Sequence, residues 1–172
     1  NAYNFMDGIN GIAAGQAIIT GVGTIAIVYS AKVEDHRGSL IGAAVVAGAA
    51  MGFLPHNFPR ARMFMGDVGS VVLGFALASI AVKVAAENNW GLLVPFGLLH
   101  ANFILDTGIT VIRRLWRGDT FHQAHREHFY QRLVRTDKSH ASVTLLELGM
   151  QVLVVGLLVA YFSVDNVGKC LV

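Results

Sequence analysis

Five stretches of this chain are long, apolar and without the alternation of a half-buried strand: roughly Ile9–Ala31, Leu40–Leu54, Val68–Ala86, Leu92–Ile112 and Ala141–Val164. A helix needs about 20 mostly apolar residues to cross a bilayer. The second stretch is short unless Gly38 and Ser39 join it. In lipid only helices and closed barrels satisfy the backbone, and these runs are too long and too uniform for barrel strands. The fold expected is all-α: a polytopic membrane bundle of about five transmembrane helices. Composition agrees. Charged residues make up 14% of the 172 residues, against about 25% in a soluble domain. The mean hydropathy is +0.55. With one cysteine, Cys170, no intramolecular disulfide framework can form. A net charge of +2 makes no case for nucleic acid.

Polar breaks separate the spans at Lys32–Arg37, Pro55–Asp67, Glu87–Gly91 and Arg113–His140. Five crossings put Asn1–Gly8, Pro55–Asp67 and Arg113–His140 on one side. That side carries nine of the thirteen Lys and Arg residues; three lie opposite, and Lys83 sits within a span. The positive-inside rule makes the rich side cytoplasmic. Two G-x-x-x-G pairs, Gly11/Gly15 and Gly48/Gly52, are expected to mark close helix packing.

The three flanks on that side hold the unusual polar residues. In the first, Asn1, Asn4, Asp7 and Asn10 recur every three residues. On a helix they would line one face and suit a hard cation or a polar ligand; alternatively they cap a helix start. Gly8 and Gly11 would let a ligand approach the backbone. The second flank runs from His56 to Ser70. Its Asp67 either caps the next helix or holds a divalent cation where that helix faces phosphate. Arg60 and Arg62 either pair with phosphates or anchor the loop to anionic lipid. Phe64 is either an interfacial anchor or a platform under a planar base. The third flank carries His122, His125 and His128 at a spacing of three, with Arg126 and Arg132. Histidine beside arginine suits a pyrophosphate better than a metal, because guanidinium repels cations. Zinc binding by the three histidines and a lipid-binding basic loop are the alternatives. Asp106, deep in the fourth span, is expected to have a buried partner, such as an arginine, and Glu147 raises the same question.

In order, the motifs are N-x-x-N-F-x-D-G-I-x-G, N-x-x-P-x-x-x-F-M-G-D-x-G-S-x-x-L-G and H-x-x-H-R-x-H-x-Y-Q-R-L. Together they resemble the polyprenyl-phosphate N-acetylhexosamine-1-phosphate transferases, the membrane enzymes of glycosyltransferase family 4. The likeness covers essentially the whole chain, and the third motif looks most like the O-antigen branch. The resemblance implies a Mg²⁺ enzyme, with Mn²⁺ as an alternative. Such an enzyme passes a sugar 1-phosphate from a UDP-N-acetylhexosamine to polyprenyl phosphate and releases UMP.

By resemblance, Asp67, Asp7 and His125 are the catalytic groups, and Asp67 with Asn4 forms the metal site. Gly8 and Asn10 line the uridine pocket, with Phe64 stacking on uracil and Asn57 near the nucleotide. His122, Arg126 and His128 hold the diphosphate and sugar with His125. Asn10 stands where many members have Asp. The family's upstream Asp-Asp pair and its amino-terminal helices are not in this sequence. Residues 1–172 are therefore expected to be the C-terminal part of one integral-membrane transferase domain. The expected setting is a bacterial inner membrane, with the active face cytoplasmic. A homodimer stays open as the assembly. A transporter or channel fragment with topology-setting basic loops is the competing class.

Overall fold

A computed structural model describes residues 2–33, 37–118 and 127–170, with side chains as far as residue 164. The helices are α1 (Ala2–Phe5), α2 (Ile12–Ser30), α3 (Arg37–Asn57) and α4 (Gly66–Glu87). A 3₁₀ turn at Trp90–Leu92 leads into α5 (Leu93–Leu98), followed by α6 (Ala101–Arg117), α7 (Phe129–Val134) and α8 (His140–Cys170). The described residues contain no strand. Among them, four helices are long and apolar enough to cross a membrane: α2, α3, α4 and the His140–Val164 part of α8. A fifth crossing exists if the bent pair Trp90–Leu98 and Ala101–Arg117 counts as one span. The short second span gains the length it lacked, because Gly38 and Ser39 do lie within α3.

The fourth span departs from its expected form. Instead of one helix over Leu92–Ile112, the chain bends by 84° between α5 and α6. A break in a span frees carbonyls that lipid cannot satisfy. Here buried side chains from two other helices take them up. Gln16 Nε2 of α2 donates to the Leu99 carbonyl at 2.6 Å, and Thr20 Oγ1 donates to it at 3.1 Å. Gln151 Nε2 of α8 donates to the Leu98 carbonyl at 3.1 Å. All three donors sit in runs whose apolar character concealed them.

Helix α2 is the central element. Two thirds of its spanning window is buried (67%), against 22% for α3, α4 and α8. Small residues permit this. A Cβ on Gly21 would lie 2.8 Å from the Ala43 carbonyl and 2.9 Å from Ala47 Cβ of α3. One on Gly15 would lie 2.4 Å from Leu148 of α8. Gly11 serves a different purpose. At φ +79° it is the residue before α2, in the left-handed region that favours glycine. The pair Gly48 and Gly52 does not pack closely. A Cβ on either would meet nothing within 4 Å, because that face of α3 is open.

The three polar flanks expected on one side do gather at one end of the bundle. Asn4, Asp7 and Asn10 of the first, Asn57, Phe64 and Asp67 of the second and His140 of the third share a cavity there. Lys32, Asn88, Asn89 and Tyr161 line another cavity at the far end. Gly21→Ala should overpack the α2–α3 contact and lower stability by about 1–3 kcal/mol. Gly48→Ala should be neutral, or stabilising by up to about 1 kcal/mol through helix propensity. Unfolding titrations in mixed micelles check this, and equal losses for both would contradict the packing described.

Candidate active site

The first flank is not one helix. Helix α1 ends at Phe5, and the Asp7 amide closes a turn onto the Asn4 carbonyl at 3.2 Å. The Tyr3 hydroxyl donates to the Ala13 carbonyl at 2.6 Å and ties this turn to α2. The period of three still brings Asn4, Asp7, Gly8 and Asn10 to one cavity of about 220 Å³. None of them caps α2. The Gly11 amide is instead taken by Asn57 Oδ1 at 2.6 Å.

The second flank adds Asn57, Phe64 and Asp67 to the same cavity. Met65, not Asp67, is the residue at the N-cap of α4, and Asp67 lies in the first turn. The capping alternative for Asp67 is thereby answered. Phe64 is 80% exposed, a flat ring at the cavity with one face available. Asn57 is buried, and both ends of its amide are used inside the protein: Oδ1 on Gly11, Nδ2 on the Met63 carbonyl at 2.8 Å. It braces the loop that presents Phe64. Asn10 is similarly engaged, donating through Nδ2 to the Pro59 carbonyl at 3.1 Å. Asn4 Oδ1 accepts from the Ser70 hydroxyl at 2.6 Å, which fixes its oxygen beside the start of α4.

The third flank contributes differently from its sequence motif. His122, His125 and Arg126 lie outside the described residues. His128 does not line the cavity. It is 3% exposed, and its Nδ1 lies 3.0 Å from Asp106 Oδ1. The Phe129 and Tyr130 amides also donate to Asp106, at 3.0 and 3.2 Å, and Thr110 Oγ1 donates at 3.2 Å. Among the described residues, the buried partners of Asp106 are thus a histidine and the first turn of α7, not an arginine. The zinc alternative turns on His122 and His125, which lie outside the described residues. Glu147 accepts from Asn102 Nδ2 at 3.2 Å. Arg117 and Glu127 form an ion pair.

His140 stood out by no motif or spacing, yet it lines the cavity at the start of α8. Its Nδ1 lies 3.3 Å from Asn10 Oδ1, and Thr144 Oγ1 donates to the Asn10 carbonyl at 2.8 Å. The only hint in sequence was its place at the head of the last apolar run.

Two carboxylates therefore face one small cavity. Burial pushes the Asp7 carboxyl up from 3.8 to about 6, and the negative charge of Asp67 adds to the rise. No group of three His, Cys, Asp or Glu that could hold a metal occurs among the described residues. Any cation here would take oxygens from two carboxylates, an amide, water and ligand.

A family model described as "Glycosyl transferase family 4" matches residues 1–85, which include both carboxylates. The chain belongs to this family. It is 37% identical to the decaprenyl-phosphate N-acetylglucosaminephosphotransferase of Mycobacterium leprae, over 85% of this chain and 41% of that protein. It is 32% identical to a probable undecaprenyl-phosphate N-acetylglucosaminyl 1-phosphate transferase of Bacillus subtilis, over 97% of this chain and 44% of that protein. It is also 42% identical to a phospho-N-acetylmuramoyl-pentapeptide-transferase of Gloeothece citriformis, over 57% of this chain and 25% of that protein. The chain thus spans about two fifths of the length of the mycobacterial and Bacillus relatives.

The raised Asp7 value has a testable sign. Well below pH 3.8 the carboxyl is protonated whether the protein is folded or unfolded. As pH rises through about 6, ionisation costs more in the folded state, so stability falls and then levels. Asp7→Asn removes that fall. In chelator, the variant should gain about 1–3 kcal/mol over the parent at pH 7.5 relative to pH 4. Unfolding curves at the two pH values measure it; a pH-independent difference would show that the carboxyl is not perturbed.

Proposed function

We propose that this chain forms part of an enzyme that transfers an N-acetylhexosamine 1-phosphate from its UDP-sugar to polyprenyl phosphate in a bacterial membrane. The observation that carries the reading is the shared cavity. Asp7 and Asp67, from flanks 60 residues apart in sequence, meet beside an exposed aromatic ring at one end of a membrane bundle. A phosphate oxygen of the lipid attacks the sugar-linked phosphorus, and the bond from that phosphorus to the UMP oxygen breaks. The products are UMP and a polyprenyl-diphospho-sugar. A channel whose basic loops only set topology has no use for such a cavity.

The residues present fit a Mg²⁺ ion, or Mn²⁺ in its place. The repulsion between Asp67 and Asp7 marks a place short of positive charge, and Asn4 offers a fixed amide oxygen nearby. Mg²⁺ keeps several waters and binds through one or two carboxylates plus substrate phosphates. When bound, it would neutralise charge on the diphosphate. Phe64 would support the uracil ring, while Gly8 lines the pocket beside it. Asn57 and Asn10 act by holding the Phe64 loop against α2 and α8. His122, His125 and Arg126 would hold the diphosphate and sugar, in line with the third motif. An apolar cavity of about 310 Å³ adjoins the site across α1, lined by Tyr3, Leu77, Phe96 and Phe103. It suits the first isoprene units of the lipid.

The nine-to-three distribution of basic residues supports a cytoplasmic active face, where nucleotide sugars are found. The names of the mycobacterial and Bacillus relatives support N-acetylglucosamine as the sugar. The likeness of the third motif supports an O-antigen type of product.

These roles are tested in the chain completed to the length of its relatives. Asp67→Asn should lose transfer almost entirely while still folding. Activity within a few-fold of the parent would remove Asp67 from the chemistry. Phe64→Ala should weaken UMP binding by about 1–3 kcal/mol, the range for base stacking, and leave polyprenyl phosphate binding unchanged. Isothermal titration with each ligand separates that outcome from a general defect, which would weaken both.

A further inference from the structure

Tyr130 belongs to the third motif, yet it lines neither the polar cavity nor the apolar one. It is fully buried against the turn that carries Asp7. Its hydroxyl donates to the Phe5 carbonyl at 3.0 Å, satisfying an acceptor at the end of α1 that the helix itself leaves open. The same hydroxyl lies against Gly8. A Cβ at residue 8 would sit 2.0 Å from the hydroxyl oxygen and 3.0–3.1 Å from the ring carbons. Gly8 has no positive φ, so its lack of a side chain is a matter of room for Tyr130.

The ring cannot easily retreat. The Tyr130 amide donates to Asp106, and the His128 ring stacks on it at 5.9 Å between centroids. Asp7 is thus suspended between two fixed points, Phe5 and Gly8, both pressed on one phenol. Across the cavity lies Asp67 on the unrelated helix α4. A cation shared by carboxylates from separate elements requires each to be held to a fraction of an ångström.

We propose that Tyr130 is a positioning residue. Its hydroxyl, lodged between the Phe5 carbonyl and Gly8, holds the Asp7 carboxylate opposite Asp67 for a divalent cation. This rests on the metal reading above. It also gives the third motif a second role, because its anchor on Asp106 sets the place of Asp7 as well.

The test uses the detergent-purified protein with Mn²⁺ as probe, read by electron paramagnetic resonance. Amide hydrogen exchange over residues 5–10 gives a second readout. Tyr130→Phe keeps the ring and removes only the hydroxyl. It should weaken Mn²⁺ binding about 3- to 10-fold, the worth of one buried hydrogen bond, and speed exchange at Asp7 and Gly8. Gly8→Ala should weaken Mn²⁺ more. Adding Tyr130→Phe to it should recover part of that loss, because the atom nearest the new methyl is gone. A general folding defect would instead accumulate in the double variant. Parent-like Mn²⁺ binding by Tyr130→Phe, or a double variant no better than Gly8→Ala alone, overturns the proposal. If the parent itself takes up no Mn²⁺, the metal reading falls, and exchange decides the positioning. Faster exchange at Asp7 and Gly8 in Tyr130→Phe upholds it; unchanged exchange overturns it.

Discussion

A bilayer offers no water to a broken helix, and the arrangement of this chain depends on how one break is made tolerable. Each unpaired backbone group in hydrocarbon costs several kcal/mol. The Leu98 and Leu99 carbonyls are met by Gln151 of α8 and by Gln16 and Thr20 of α2, so two further helices converge on the bend. That convergence fixes α5 and α6 relative to α2 and α8. It also sends α6 off at 84° to α5, toward the end of the bundle where the polar flanks gather. A straight fourth span would not carry Asp106 to its place beneath α7.

From Asp106 the order passes outward through buried contacts. Its carboxylate is 5% exposed and receives the His128 ring and two amides of α7. A carboxylate at such depth would be costly unpaired; with four donors around it, it becomes the fixed point of the third flank. Helix α7 then packs Tyr130 under α1, and Tyr3 of α1 bonds back to α2. The residues at the cavity stand at the far end of this sequence of contacts. Asn57 closes the second flank onto α2 in the same manner.

Much of the architecture was readable because membrane helices announce themselves by composition alone. Five runs, three short breaks and the bias of Lys and Arg sufficed for the bundle and for the sharing of one end by three flanks. The bend was not readable. Apolar runs look alike whether straight or broken, and Gln16 and Gln151 serve backbone atoms far away in sequence. The motifs brought Asn4, Asp7, Phe64 and Asp67 to the cavity, since spacing along a turn and position before a span are local properties. They did not distinguish groups that face the cavity from groups that build it. Asn57, Asn10 and His128 spend their hydrogen bonds within the protein. His140 arrives from the other end of the chain. Gly48 and Gly52 match the packing pattern of Gly15, but a four-residue spacing cannot say which face of α3 meets a neighbour.

The two carboxylates differ in a way that follows from these anchors. Asp67 is exposed in the first turn of α4, free to adjust. Asp7 is partly buried on a turn gripped from both sides, and its carboxyl is pushed up to about 6. Asp7 ionises only as the pH nears neutral. The cavity then stores a repulsion that the fold cannot relax by moving Asp7, because Phe5 and Gly8 are held. A divalent cation held by Asp7 and Asp67 would offset that repulsion, and the anchoring of Asp7 would lessen the reorganisation its binding requires. Asp67 and the Phe64 ring, by contrast, are both exposed at the cavity.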